Sequence, residues 1–370
     1  MSESPGALIP VTVLTGFLGS GKTTLLSQLL RQPAMKNVAV LINEFGAVGL
    51  DHVLVEKIEG DVVLMQSGCL CCTIRSDLAD SLRDLFLKRV RGSVPEFERV
   101  VIETTGLADP APIIHTLMTD ALVAARYRLD GVVTTVDAVN ADATLDRQIE
   151  CVKQAAVADR LIVTKADLAD AGALDRLTAR LRALNPAAPI IRAARGAIDP
   201  AAILDCGLYD PRTKTADVAR WLQAEAYEAH EHAHAHDHDH GHGDDHAHDH
   251  QAPDVNRHDA SIRAFAIARD VPFTREELGQ WLDTLSVYLG PDMLRVKGLI
   301  NLDGAPMALH GVQHLFYPLA PLQAWPDADR RSKIVFITRD VPREFIARTL
   351  ELVGSALAGP ADAPLSSSSG

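Results

Sequence analysis

Strands buried in a parallel sheet read as short, unbroken apolar runs, whereas helices laid on a sheet repeat their apolar residues every three to four positions. Residues 11–14, Val-Thr-Val-Leu, are the first such run and predict a buried strand. The next segment, 24–30, carries its leucines at helical spacing. The alternation continues. Strands are predicted at 38–42, 99–102, 129–136, 160–163 and 189–192, and helices at 76–91 and from about 174 to 184. Such alternation implies an α/β domain with a doubly wound, mostly parallel sheet. Beyond residue 261 the rhythm changes. Strands predicted at 262–268, 294–300, 312–317 and 333–338, with helices at 274–288 and 343–353, describe a second, smaller α+β domain.

Between these two patterns, residues 230–250 contain ten histidines, six acidic residues and neither lysine nor arginine. The stretch has no apolar periodicity and cannot build a core, so it predicts a disordered linker. Near neutral pH its imidazoles are mostly uncharged, so it reads as a low-specificity metal collector or as a solvated spacer. The expected organisation is a nucleotide domain over 1–225, a His-rich linker over 226–258, a C-terminal domain over 259–355 and a mobile tail over 356–370.

Composition narrows the classes. At 370 residues, with 47% apolar and 23% charged residues, the chain resembles an ordinary soluble protein with room for two cores. The formal net charge is −13, about half of it in the His-rich stretch, and no basic stripe offers itself to nucleic acid. No apolar run approaches the roughly 18 residues that a membrane span needs. The N-terminal residues lack the basic start of a secretory signal, so a cytoplasmic protein is expected. The five cysteines are Cys69, Cys71, Cys72, Cys151 and Cys206. An odd count with three crowded together suggests reduced thiols and metal chemistry rather than a disulfide framework.

The chemistry begins after the first strand, with Gly-Phe-Leu-Gly-Ser-Gly-Lys-Thr at 16–23. A Gly-rich turn between a strand and a helix is the phosphate-binding P-loop. Gly16, Gly19, Ser20 and Gly21 let consecutive N–H groups turn inward, and the helix that opens at Lys22, Thr23 and Thr24 adds positive potential. Lys22 can reach the β- and γ-phosphates, and the Thr23 hydroxyl can ligate Mg2+. Glu103, at the tip of the 99–102 strand, can hold Mg2+ directly or through water, and Gly106 can place an N–H on the γ-phosphate. After the 160–163 strand comes Thr164-Lys165-Ala166-Asp167. Asp167 can accept from guanine N1–H and its exocyclic amine, a donor pair that adenine lacks, and the Lys165 stem can lie along the ring. Glu44 and Asp51, in the loop after the 38–42 strand, are either metal ligands or solvated loop carboxylates. If the segment is extended, Cys69 and Cys71 point to the same side and could grip a soft or borderline cation, with Cys72 or a nearby carboxylate or imidazole completing the shell; a redox-active thiol pair or buried small apolar residues are the alternatives. Zn2+ suits such a set, and Co2+, Ni2+ and Cu+ remain open. His115 is either structural or a ligand.

Together these residues resemble the CobW-type P-loop GTPases, in the G3E group that acts in metal homeostasis. The resemblance rests on 16–24, Asn43-Glu-Phe-Gly46, 68–73, 103–109, 164–167, the His-rich linker and Arg295-Val-Lys-Gly298. It implies GTP hydrolysis coupled to loading a metal, most often Zn2+ or Co2+, onto a client metalloprotein. By that likeness Lys22, Thr23 and Glu103 are the catalytic set. Gly16, Gly19, Ser20, Gly21, Thr24, Gly106, Thr164, Lys165 and Asp167 hold the nucleotide. Cys69, Cys71 and Cys72 form the metal motif, with Glu44 and His115 as helpers. Divalent metal ions, GTP with Mg2+, a client protein and a second copy in a homodimer are the expected partners, with neither nucleic acid nor membrane among them. Cobalt delivery to cobalamin synthesis or to a cobalt enzyme, a passive metal buffer and a small-molecule kinase are the competing expectations. One residue departs from the pattern. The guanine motif of the family begins with Asn, which ties loops around the base, and Thr164 stands there, so weaker affinity is expected.

Overall fold

The computed structural model describes residues 8–43, 63–66, 74–195, 197–204, 206 and 261–358. The first unit runs β1 (Ile9–Gly16), α1 (Lys22–Leu29), β2 (Val38–Asn43), β3 (Val63–Gln66), α2 (Ile74–Val90), β4 (Arg99–Thr104), α3 (Ala111–Thr119), α4 (Ala121–Ala124) and β5 (Tyr127–Asp137). It continues through α5 (Ala141–Arg147), α6 (Ile149–Val157), β6 (Arg160–Thr164), α7 (Ala171–Leu184) and β7 (Ile190–Arg192). Its seven strands form one sheet in the order β3-β2-β4-β1-β5-β6-β7. Each adjacent pair is parallel. The period of two divides the strand residues between two cores. Val11, Val13, Ala39, Leu41, Val100 and Ile102 pack with α2, α3, α6 and α7 on one face. Leu14, Val38, Val40, Val101, Val133 and Ile162 pack against Leu25, Leu26 and Leu29 of α1 on the other.

The second unit comprises β8 (Ile262–Arg269), α8 (Arg275–Leu289), β9 (Met293–Leu302), β10 (Ala305–Val312), β11 (Leu315–Phe316), β12 (Ala320–Pro321), β13 (Ser332–Arg339) and α9 (Arg343–Ala358). Its sheet runs β11-β10-β9-β13-β8, with β12 on β10, and the pairings are antiparallel. Thr274 caps α8 by accepting from the Glu277 N–H. One face of this sheet packs Phe265, Val296, Ile300 and Phe336 beneath Trp281 of α8 and Ile346 of α9. The other turns to the first unit. Ile262, Leu294, Val312 and Ile337 join the core of the parallel sheet. Arg295 and Lys297 of β9 reach Asp159, just before β6, at 2.5 and 2.8 Å.

The strand expected over 312–317 is corrected. Those residues span the end of β10, a two-residue turn at Gln313 and His314, and the short β11, while β10 itself was not foreseen. Apolar residues on both sides of the turn mimic one run, and Gly304, Pro306 and Gly311 mask the strand that precedes it. The closing helix, expected over 343–353, extends to Ala358. Among the described residues no helix is long and apolar enough to cross a membrane.

Candidate nucleotide site

β1 lies between β4 and β5, so its carboxyl end brings the P-loop beside the loops that follow β4 and β5. Ligands of open α/β sheets bind at that edge. Gly16 (φ +140°), Gly19 (+73°) and Gly21 (+88°) adopt backbones that L side chains rarely enter. At Gly16 space also forbids anything larger, because a Cβ would sit 2.3 Å from the Thr135 hydroxyl. Gly21 begins α1 with no side-chain cap, which leaves the first-turn N–H groups directed at the loop. Ser20 is buried, and its hydroxyl meets that of Thr135 at 2.6 Å. Lys22 is buried as well, and its ammonium donates to the Gly16 carbonyl at 2.7 Å, inside the loop it would serve. Thr24 is exposed on the first turn of α1.

The Thr23 hydroxyl donates to Glu103 Oε1 at 2.5 Å. A P-loop hydroxyl and a buried carboxylate on the neighbouring strand are hard oxygen donors side by side, and that set fits Mg2+. Gly106 presses on the P-loop. A Cβ there would lie 2.6 Å from the Leu18 nitrogen, so the loop carrying it can follow the phosphates.

At the base end, Thr164 is buried and its hydroxyl donates to the Ser20 carbonyl at 2.7 Å, with Val136 O at 3.2 Å. This is the loop tie expected of asparagine, made by a shorter side chain. Lys165 (φ +56°) donates to the Gly19 carbonyl at 2.9 Å and to Asp137 Oδ2 at 2.7 Å. Burial works against the charge of Asp137, but bonds from Lys165, Asn140 and the Val139 N–H hold its carboxyl below the usual range. Asp167 Oδ1 accepts from the Arg195 N–H at 3.2 Å.

Asp137 and Gln154 were missed from the sequence. Asp137 carries a faint signal as an acid closing an apolar strand. Gln154, on α6, carries none. It is fully buried, and its amide donates to the carbonyls of Gly106 and Ala108 at 3.3 and 2.9 Å.

Of the metal candidates, His115 lies half-buried on α3, its Nδ1 3.0 Å from the Thr119 hydroxyl and its ring 5.8 Å from that of His314. Glu44, Asp51, Cys69, Cys71, Cys72 and the His-rich tract lie outside the described residues. Among the described residues no three metal-binding side chains gather. Cys151 and Cys206 are free and buried. Burial pushes the Cys151 thiol up to about 12, and Cys206 rises too, so neither offers a thiolate near neutral pH.

Comparison with known proteins fits this arrangement. Residues 10–192 match the family described as CobW/HypB/UreG, nucleotide-binding domain, and 262–353 match the cobalamin synthesis protein cobW C-terminal domain. The chain is 32% identical over 340 residues to the zinc chaperone YjiA of Escherichia coli, covering 91% of this chain and 96% of that protein. This chain belongs to the CobW family. Zinc-regulated GTPase metalloprotein activator 1 of Schizosaccharomyces pombe is 37% identical over 209 residues, covering 54% of this chain and 50% of that protein. The crystal structure of Zn(II)-bound YjiA GTPase superposes with a TM-score of 0.67 at 28% identity, over 94% of this chain and 99% of that one. A YjiA variant with one glutamate and two cysteines changed to alanine is also described as Zn(II)-bound, with the same TM-score. This CobW-family chain therefore has the mostly parallel nucleotide-binding sheet and the smaller α+β C-terminal unit that its sequence predicted, the latter built on an antiparallel sheet.

Proposed function

We propose that this CobW-family protein is a GTP-hydrolysing metallochaperone that carries zinc and passes it to a client metalloprotein. The observation that carries the reading is the pair of tied subsites. The Thr23–Glu103 contact and the Thr164–Lys165–Asp137 network join one P-loop from its two ends. A chain similar over nine-tenths of its length to a zinc chaperone supplies the purpose. In this reading the N–H groups of 16–23 and the Lys22 ammonium bind the β- and γ-phosphates. Thr23 and Glu103 hold Mg2+, which would offset the charge shed on the leaving phosphates. Gly106 reads the γ-phosphate, and Asp167 selects guanine. Water attacks the γ-phosphorus, the bond to the bridging oxygen breaks, and GDP and phosphate leave. Zinc is cargo, held as substrate by Cys69, Cys71 and Cys72 with Glu44 and His115 as helper ligands. Coupling requires different zinc affinities in the GTP and GDP states.

Zinc bound to a YjiA variant lacking two cysteines means that zinc content alone does not diagnose a thiol site. The test therefore reads affinity and turnover. Lys22→Ala is expected to abolish GTP hydrolysis, and ATP is expected to compete poorly in the parent. Chelator competition should give zinc affinities that differ by about tenfold or more between GTP analogue and GDP, a difference lost in Cys71→Ala. Equal affinities in the two states would sink the coupling. Undiminished hydrolysis by Lys22→Ala would sink the enzyme.

A further inference from the structure

Residues 105–110 lie between the P-loop and the C-terminal unit and are held from three sides. The P-loop touches them at Gly106, as described. From α6, Gln154 grips the Gly106 and Ala108 carbonyls. From the C-terminal unit, the Gln313 amide donates to Asp109 Oδ2 at 3.0 Å. The other oxygen of Asp109 accepts from the Ala111 N–H at 2.9 Å, which fixes the start of α3. Gln313 occupies the tip of the β10–β11 turn with φ +52°, a left-handed backbone that a non-glycine residue seldom adopts. A two-residue hairpin turn calls for such a backbone at its first central residue. The bond to Asp109 and the neighbouring contact of His314 with His115 seat that turn against the first unit.

We propose that Gln313, from the C-terminal domain, is a positioning residue for nucleotide turnover: through Asp109 it sets the loop that carries Gly106. It touches neither phosphate nor metal. It fixes where the loop can rest, and so how readily Gly106 meets the γ-phosphate. Linkage then runs both ways. Whatever moves the β10–β11 turn changes the affinity for GTP relative to GDP, and nucleotide exchange shifts the turn by the same free energy. The proposal rests on the GTPase reading above.

The test exchanges the polarity of one hydrogen bond. Gln313→Glu sets a carboxylate against Asp109 and should lower kcat for GTP about fivefold or more, leaving the affinity for GDP within about twofold. Adding Asp109→Asn restores a donor–acceptor pair, with the Asn amide giving and the new Glu accepting, and should return kcat to within about twofold of the parent. A contact that serves only folding would show in melting temperature and not in this split or its rescue. Unchanged kcat in Gln313→Glu, or a loss that the double variant fails to repair, overturns the proposal. Hydrogen exchange gives a readout that needs no hydrolysis. Amides of 312–316 should differ between GTP-analogue and GDP complexes of the parent, and this difference should vanish in Gln313→Glu. Identical exchange in both complexes overturns the coupling, whereas a parent that binds GTP without hydrolysing it overturns the GTPase reading alone.

Discussion

Thr164 joins the P-loop to β5 through one hydroxyl. The motif of the family begins with asparagine, and the shorter Thr164 predicts a weaker clasp on the base. Its position gives it a tie to the P-loop. Thr164 closes β6 directly behind the P-loop, where its hydroxyl reaches the Ser20 carbonyl from 144 residues away in sequence. Lys165 adds a second tie to Gly19, and Asp137 holds that lysine in turn. Replacing Thr164 by valine keeps the shape and deletes the donor. A buried carbonyl left without its partner costs about 1–3 kcal/mol. Thr164→Val should therefore lower the unfolding free energy measured by urea titration by that amount and weaken GDP binding several-fold, as read by fluorescent-nucleotide titration. Unchanged GDP affinity would mean that the tie to Ser20 does not shape the nucleotide site. The identity of Thr164 is plain in the sequence. Its two acceptors are not, because they come from a loop and a strand that only the folded sheet brings together.

Elements were legible to the extent that burial leaves a one-dimensional trace. Strands β1, β2, β4, β5 and β6 are apolar because both faces are covered, and each falls within a few residues of its predicted place. Helices α5 and α6 went unread; in α6 six of nine residues are buried, among them the polar Gln154, and a helix covered on most sides loses the contrast that marks its face. The P-loop and the 164–167 motif are local patterns of residue type, whereas Gln154, Asp137 and Gln313 make contacts between elements. So does Asp159, just before β6, whose carboxylate faces Arg295 and Lys297 of β9. Burial opposes its charge, but the two cations, a Lys297 hydrogen bond and the Val132 N–H outweigh that and hold its carboxyl below the usual range. Asp159→Asn leaves two buried cations uncompensated and should lower stability by about 3–5 kcal/mol. The sign with pH follows from the lowered folded value. The contribution of Asp159 is fully present above the unfolded value of about 4 and is lost as pH falls through the folded one. The stability gap between parent and Asp159→Asn should thus narrow as pH falls below about 4. Urea titrations from about pH 5 downward check it, and a gap that does not narrow there would contradict the assignment.

For the whole molecule, the question is whether two sheets behave as two domains or as one body. Ile262, Leu294, Val312 and Ile337 of the C-terminal unit share a core with Val11, Val13 and Ile102 of the parallel sheet. Leu299, Ala308 and Leu322 share the opposite core with α1. Apolar surface divided in this way is exposed in both units if either opens, so neither can unfold alone without penalty to the other. The proposed site for GDP with Mg2+ lies at the edge of the first sheet, yet the heat that nucleotide adds to unfolding should appear in the entire transition. At a hundredfold excess over Kd the stabilisation is about 2.7 kcal/mol, which for a protein of this size raises Tm by roughly 4 °C. Calorimetry should then show a single endotherm that moves as a unit with nucleotide. Two endotherms, with only the first displaced by GDP, would show that the shared cores do not couple the sheets. In that case a nucleotide-driven signal to the C-terminal unit would have to travel through the polar contacts between the units, Asp109–Gln313 among them, and Gln313→Glu should weaken it.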